Sequence, residues 1–226
     1  MSILIKEMFN KISDKYDLLN TLLSFGVHHL WKNTCVKNIN FKNNMKILDC
    51  ATGTGDLAIK IKDYDKESIV YALDFSPSML GIAKAKDNKN KIHFINGDIL
   101  HLPFKSNSFD AITISFGIRN VDNILFAFNE MARVTKSGGK ILILEFGQPR
   151  NIFKFIYKIY CYLIIPLVGK ILSGHKYAYK YLPSTALSFP CADNFIKLMK
   201  DSNLFINSSF RSLSFGIAYL YIGVVK

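Results

Sequence analysis

Two glycines, Gly53 and Gly55, follow an apolar run that carries a carboxylate, Asp49, within Lys46-Ile-Leu-Asp-Cys-Ala-Thr-Gly-Thr-Gly-Asp-Leu57. Glycine lets backbone approach a ligand closely, and a helix start offers unpaired N–H groups to an anion. A short buried strand, a glycine turn and the amphipathic run Leu57 to Ile61 therefore suit a nucleotide-type pocket. Two more acids stand at or just past the ends of apolar runs. Asp74 closes Ser68-Ile-Val-Tyr-Ala-Leu-Asp74, where an acid can take the two hydroxyls of a ribose. Asp98 comes just after Lys91-Ile-His-Phe-Ile95. A carboxylate there can accept from an adenine amino group, while Ile99 supplies an apolar face and a backbone N–H.

Two ligand classes fit this constellation. Gly53-Thr-Gly55-Asp-Leu-Ala58 satisfies the loose dinucleotide pattern G-x-G-x-x-G/A. S-adenosylmethionine fits the same turn with its amino-acid end, and it accounts for Asp49. A charge inside a strand is costly unless it meets a cation or donors, and a methionyl ammonium is such a partner, directly or through water. The polar and glycine residues crowded at this strand end argue against a turn with no ligand.

The elements that position these residues alternate regularly. Phe109-Asp-Ala-Ile-Thr-Ile-Ser115 reads as a fourth strand and leads into Phe116-Gly-Ile-Arg-Asn120 at the same carboxyl edge. Ser76 caps a helix with Pro77 at its first position. Asp122 caps another, with Leu125, Phe128, Met131 and Ala132 on its core face. Lys136-Ser-Gly-Gly139 turns the chain into the strand Lys140 to Glu145. Such βα alternation predicts an α/β fold, a right-handed, parallel, helix-covered sheet. Upstream, residues 3 to 40 read as helices. Asp14 is placed as the cap of a segment from Tyr16 to Leu23, Ser24-Phe-Gly26 as a break, and Val27 to Ile39 as a renewed helix.

At 226 residues, one domain of ordinary α/β size is expected. Half the residues are hydrophobic, enough for a sizeable core. The four cysteines show no C-x-x-C pair and no metal spacing with the histidines, so free buried thiols in a reducing compartment are expected. His28-His29 is read as structural, because adjacent residues face different sides of a helix, and no metal is expected. The start has no signal-peptide character, which suggests a cytosolic protein. The net charge of +12 suits nucleic acid or an anionic membrane. The lysines are scattered, however, with no arginine-rich cluster and no nucleic-acid motif, so nucleic acid is not an expected partner.

Several stretches resemble the quinone C-methyltransferases of menaquinone and ubiquinone biosynthesis. They are Met8-Phe9 with Lys15-Tyr-Asp17, Ser24-Phe-Gly26 with Trp31-Lys32, Asp49 to Asp56, Thr113-Ile-Ser-Phe-Gly-Ile-Arg-Asn120 and Leu144-Glu-Phe146. Tyr181-Leu-Pro-Ser with Phe189-Pro190, and Phe215-Gly-Ile217, are more similar to the menaquinone branch. The resemblance covers nearly the whole chain. One departure is Thr52, where many relatives carry glycine. The resemblance implies a class I, Rossmann-like S-adenosylmethionine-dependent methyltransferase fold. Its sheet has seven strands with one antiparallel near the edge, and helices on both faces. It implies S-adenosylmethionine held at Thr54, Asp74, Asp98, Ile99 and Ser115, which joins Asp49, Gly53 and Gly55 reached from the turn. It also implies transfer of a methyl group to a ring carbon of a polyprenylated demethylnaphthoquinol. Alternatives are the ubiquinone-pathway C-methylation and another small phenolic acceptor.

The acceptor carbon becomes nucleophilic as the neighbouring hydroxyl loses its proton, and a cation near that oxygen stabilises the developing phenolate. Arg119 is the candidate, with a structural salt bridge as the alternative role, and Asn120 and Tyr16 orient the ring. Residues 151 to 172 are the most apolar region. Lys154, Lys158 and Pro166 interrupt the twenty apolar residues that a membrane span needs. The segment 150–190 is read as a helical insertion that forms a substrate lid or packs on the core. As a lid it places the protein in peripheral contact with the inner face of the cell membrane. A homodimer is left open.

Overall fold

The computed structural model describes residues 3–88, 91–149, 152–164 and 185–226. Seven strands form one sheet: β1 (Lys46–Cys50), β2 (Ile69–Asp74), β3 (Ile92–Asn96), β4 (Phe109–Ser115), β5 (Thr135–Phe146), β6 (Phe205–Leu213) and β7 (Ala218–Val225). Their order is β3-β2-β1-β4-β5-β7-β6. Only β7 runs antiparallel to its neighbours, as the seven-stranded expectation requires. The chain moves outward from β1 to β2 and β3, then returns to the other side of β1 with β4. Between β1 and β4 the order reverses, the point in such a sheet where a crevice forms beyond the strand ends.

The central strands are apolar on both sides because helices cover both faces. Alternation along a strand sends neighbours to opposite layers. Leu48 and Ile143 pack with Phe128 and Met131 of α5 (Ile124–Val134) and Phe195 and Met199 of α7 (Asp193–Asp201). Ile47 and Leu142 pack instead with Trp31 and Cys35 of α2 (Val27–Lys37) and with Leu57 and Ile61 of α3 (Asp56–Tyr64). Cys35, Cys50 and Cys191 are free thiols.

Several local expectations need correction. α1 runs unbroken from Ile3 to Leu23, through Asp14, which caps nothing; the amphipathic stripe outweighs one acid in mid-helix. Asn123, not Asp122, caps α5, its side chain accepting from the Phe126 N–H at 3.0 Å. Leu125 is 47% exposed; the buried face carries Ala127 and Val134 instead. β5 starts at Thr135 beside Phe109, and residues 136–139 bulge before Lys140 pairs alongside Ala111. Gly138 has φ 75° there, which a residue with a side chain rarely adopts. The Ser76 cap with Pro77 opens α4 (Pro77–Lys86) as expected, Ser76 Oγ accepting from Met79 N–H at 3.1 Å. Of the apolar insertion, the structure describes α6 (Ile152–Ile159) and a π-helical turn (Tyr160–Ile164). Residues 165–184, including Pro166 and Tyr181-Leu-Pro-Ser184, lie outside the described residues.

Candidate active site

The loops that leave β1 and β4 are strained where they meet. Ala51 and Phe116 adopt φ 47° and 55°, costly for residues with a side chain. A Cβ on Gly117 would lie 2.7 Å from Ala51 Cβ, so only glycine allows these loops to touch. The contact aims both loops at the crevice.

Asp49 is buried. Its oxygens accept from Thr52 Oγ1 and Thr113 Oγ1, each at 2.6 Å. Burial pushes its carboxyl up to about 6, against those hydroxyl bonds. It stands one layer behind the crevice, orienting Thr52, which lines it. Asp74 Oδ2 accepts from Gly53 N–H at 2.7 Å and Oδ1 from Ser76 N–H at 2.8 Å. The strand-end acid thus clamps the glycine turn to the start of α4. Gly53 has φ 59° and open space beside its Cα, as close approach of a ligand requires. Gly55 plays another part. It is the N-cap of α3 with φ 82°, and a Cβ there would meet Ala83 Cβ at 2.9 Å, so it lets α3 approach α4. Asp98 and Ile99 follow β3 beside Asp74, with Gly97 N–H donating to the Asp74 carbonyl at 3.0 Å. Neither lines the cavities described next.

Two cavities meet at the crevice and share Tyr16, Ala51, Gly53, Ser115 and Phe116. The larger, about 370 Å³, is walled by Trp31, Phe116, Phe146, Phe153, Tyr157 and Phe215, with Thr52, Thr54, His28, Lys32 and Arg119 among its polar groups. The smaller, about 40 Å³, lies between Asp74, Ser76 and Asn120 on one side and Lys6 and Phe9 of α1 on the other. The N-terminal helices close the crevice through charge. Thr54 Oγ1 donates to Asp17 Oδ1 at 2.5 Å. Lys86 bonds both Asp17 and Asp56, and Asp56 also takes Lys32 at 3.1 Å. Its two lysines hold the Asp56 carboxyl down to about 2 despite burial.

Arg119, in the 3-10 turn Ile118–Asn120 after β4, is buried and paired. Its Nη1 donates to Glu145 Oε1 and to the Phe116 carbonyl, each at 2.6 Å. Its guanidinium lies 5.1 Å from the Phe146 ring centre, and its Nε is buried without a hydrogen-bond partner. The expected cation is therefore half of a buried ion pair that also lines the larger cavity. Burial raises the Tyr16 hydroxyl above its usual range, with Arg119 pulling it back, so Tyr16 stays protonated.

Sequence reasoning missed Glu145, Lys32 and His28 as site residues. The signal for Glu145 was an acid ending a run of buried aliphatics. Lys32 is one of many scattered lysines in the sequence, yet it is only 7% exposed. His28 and His29 were expected on different faces, but their rings lie 3.9 Å apart. Successive residues on a helix are only about 100° apart, so large rings can meet. One nitrogen of each ring and an Asp56 oxygen lie within 4.8 Å of one another. Both oxygens of Asp56 already face lysines, which opposes a dication there.

A structure of an S-adenosylmethionine-dependent methyltransferase from Thermotoga maritima superposes with a TM-score of 0.69 at 19% identity, covering 97% of this chain and 99% of that one. A Bdellovibrio bacteriovorus protein named ubiquinone/menaquinone biosynthesis C-methyltransferase UbiE is 44% identical over 226 residues, 99% of this chain and 96% of its own length. A Thermus thermophilus demethylmenaquinone methyltransferase is 37% identical over 96% of this chain and 99% of its own. A family model described as the ubiE/COQ5 methyltransferase family matches residues 2–225, and with relatives this similar along their full length the chain belongs to that family.

Proposed function

We propose that this protein transfers a methyl group from S-adenosylmethionine to a ring carbon of demethylmenaquinol, giving menaquinol. The observation that carries this reading is the aromatic-walled cavity of about 370 Å³, which opens beside the glycine turn in a member of a quinone methyltransferase family. An apolar ring and the start of its prenyl tail suit such a wall. The Bdellovibrio relative's name covers both quinone pathways, so the ubiquinone-pathway C-methylation is the second reading. Methyl transfer to each demethyl quinol, assayed side by side, separates them.

S-adenosylmethionine, when bound, supplies a methyl group already activated on a sulfonium. The residues present fit it. Gly53 offers an open backbone, Thr54 and Ser115 offer hydroxyls, and Asp74 offers a carboxylate already held by two N–H groups. Asp98 and Ile99 extend the same edge. Lys32, which lines the same cavity as Thr54 and is held by Asp56 at 3.1 Å, has donors left for a methionyl carboxylate. About 40 Å³ beside Asp74 holds a few waters at most. Lys6 and Phe9 of α1 must therefore move outward to admit an adenosine. Arg119, fixed by Glu145 and Phe116, donates to the acceptor oxygen rather than acting as a free charge. Tyr16, which both cavities share, is placed to orient the ring, whereas Asn120 lines only the smaller cavity beside Asp74; positioning does much of the catalytic work.

We extend this reading to the membrane. Phe25 and Phe215 are 82% and 74% exposed beside the larger cavity, and Phe155, Tyr162 and Leu163 are exposed on the adjoining helical segment. Phe153 stacks on Phe215 at 4.7 Å. Among the described residues no helix is long and apolar enough to cross a bilayer. An apolar rim on a protein of charge +12 suits peripheral contact with an anionic leaflet, where a prenylated acceptor resides.

A further inference from the structure

Building on the quinol reading, we propose that His28 is a catalytic residue, accepting through Nε2 the hydroxyl proton that the acceptor sheds during methyl transfer. His28 sits in the first turn of α2, only 4% exposed, on the wall of the larger cavity.

The hydrogen positions follow from two contacts. Ser24 Oγ lies 2.7 Å from the Asn20 carbonyl and 2.7 Å from His28 Nδ1. A carbonyl only accepts, and a serine hydroxyl has one hydrogen. Only one arrangement puts a hydrogen in both contacts: Ser24 donates to Asn20, and His28 Nδ1–H donates to Ser24. In a neutral ring Nε2 then holds the lone pair. The ring is neutral at physiological pH, because burial, then Lys32 and His29 on the same helix, push its pKa down to about 4. Asp56 of α3 and Asp17 of α1 act in the opposite direction.

Other groups on this wall are poor acceptors. Arg119 does not deprotonate in proteins. Tyr16 stays protonated. Lys32 is paired with Asp56. Asp49 stands behind the wall with both oxygens accepting from threonines.

A base this weak does not deprotonate a phenol on its own, so the proton moves together with the methyl group. The ring carbon forms its bond to the methyl while the carbon–sulfur bond breaks, the bonding electrons staying on sulfur. The hydroxyl proton passes to Nε2 and the oxygen becomes a carbonyl. The imidazole gains a positive charge as the sulfonium charge is lost, so the cavity's total charge is unchanged. The ring C–H proton then leaves to water, and the imidazolium returns its proton to the oxygen. One proton is released per turnover.

The test combines nuclear magnetic resonance with kinetics. The ¹⁵N resonances of His28 in the wild-type protein should report a neutral ring protonated at Nδ1 at pH 7. An Nε2–H tautomer or a charged ring there would overturn the proposal whatever the activity. His28→Gln and His28→Ala should keep S-adenosylmethionine affinity and lose about 10²- to 10⁴-fold in single-turnover methylation of a short-chain demethylmenaquinol. The His28→Gln rate should climb with pH until the acceptor ionises in solution, where the wild-type rate is flat. Added imidazole should partly restore His28→Ala. Near-normal turnover in both variants, or a loss that neither pH nor imidazole relieves, overturns the proposal alone. A wild-type protein that does not methylate the quinol overturns the function reading and this proposal with it.

Discussion

Removing Arg119 should expose how the buried pair divides its work between stability and chemistry. In Arg119→Ala, Glu145 keeps only backbone donors: Phe146 N–H at 2.8 Å and the residue 119 N–H at 3.3 Å. The Arg119 side chain is 2% exposed and that of Glu145 0%, so the carboxylate is left buried without its cation. Breaking a buried pair from one side costs about 3–5 kcal/mol, a large share of a typical stability of about 5–15 kcal/mol. With an m-value of about 2–3 kcal/mol/M, the urea midpoint should fall by about 1–2.5 M. Arg119→Ala combined with Glu145→Gln leaves no buried charge and should recover at least about 1 kcal/mol of that loss. The double variant therefore serves for kinetics. Its turnover should be about 10²- to 10³-fold down with S-adenosylmethionine affinity intact. Urea titration followed by circular dichroism and single-turnover methylation measure the two effects. If Arg119→Ala loses under about 1 kcal/mol, or the double variant is no more stable than the single, the account of the pair is wrong. Near-normal turnover in a folded double variant would leave Arg119 a purely structural role.

Asp49, raised to about 6 from 3.8, favours the folded state at low pH, and that contribution is lost as pH rises through about 6. At about 1.4 kcal/mol per tenfold change in proton affinity, Asp49→Asn should be more stable than wild type by roughly 3 kcal/mol at pH 7 and by almost nothing at pH 4. An unfolding difference independent of pH would contradict the burial argument. Asp74→Ala loses an acceptor for ribose hydroxyls, worth about 1.5–3 kcal/mol each, so calorimetry should show at least roughly tenfold weaker S-adenosylmethionine binding; unchanged affinity removes Asp74 from the site. Phe25→Ser with Phe215→Ser should reduce sedimentation with anionic vesicles, and salt should release the wild-type protein further. Sedimentation unaffected by either change would leave the aromatic rim without a membrane role.

The fold was readable because its parts agree. The central strands carry short apolar runs, the turns beside them carry glycines or capping residues, and the acids fall near strand ends. The candidate cofactor edge could be proposed for the same reason, since Gly53 and Asp74 stand at consecutive strand-to-helix connections. What sequence could not show is contact between distant segments. Glu145 meets Arg119 because β4 and β5 are neighbours in register. Thr54 meets Asp17 because α1 folds back over the glycine turn. Lys32 and His28 become wall residues only once α2 is laid beside α3 and the loop after β1. Asp49 misled in part: its burial demanded donors, and two threonines supply them without any ligand.

The most direct test is to incubate the purified protein with methyl-labelled S-adenosylmethionine and chemically reduced demethylmenaquinone, and to identify the product by mass spectrometry. The structure and its family predict menaquinol carrying one labelled methyl on the ring carbon, with no transfer to the oxidised quinone, whose ring lacks the electron-donating hydroxyl. Label on an oxygen, or no label on demethylmenaquinol while another phenol is methylated, would contradict the reading.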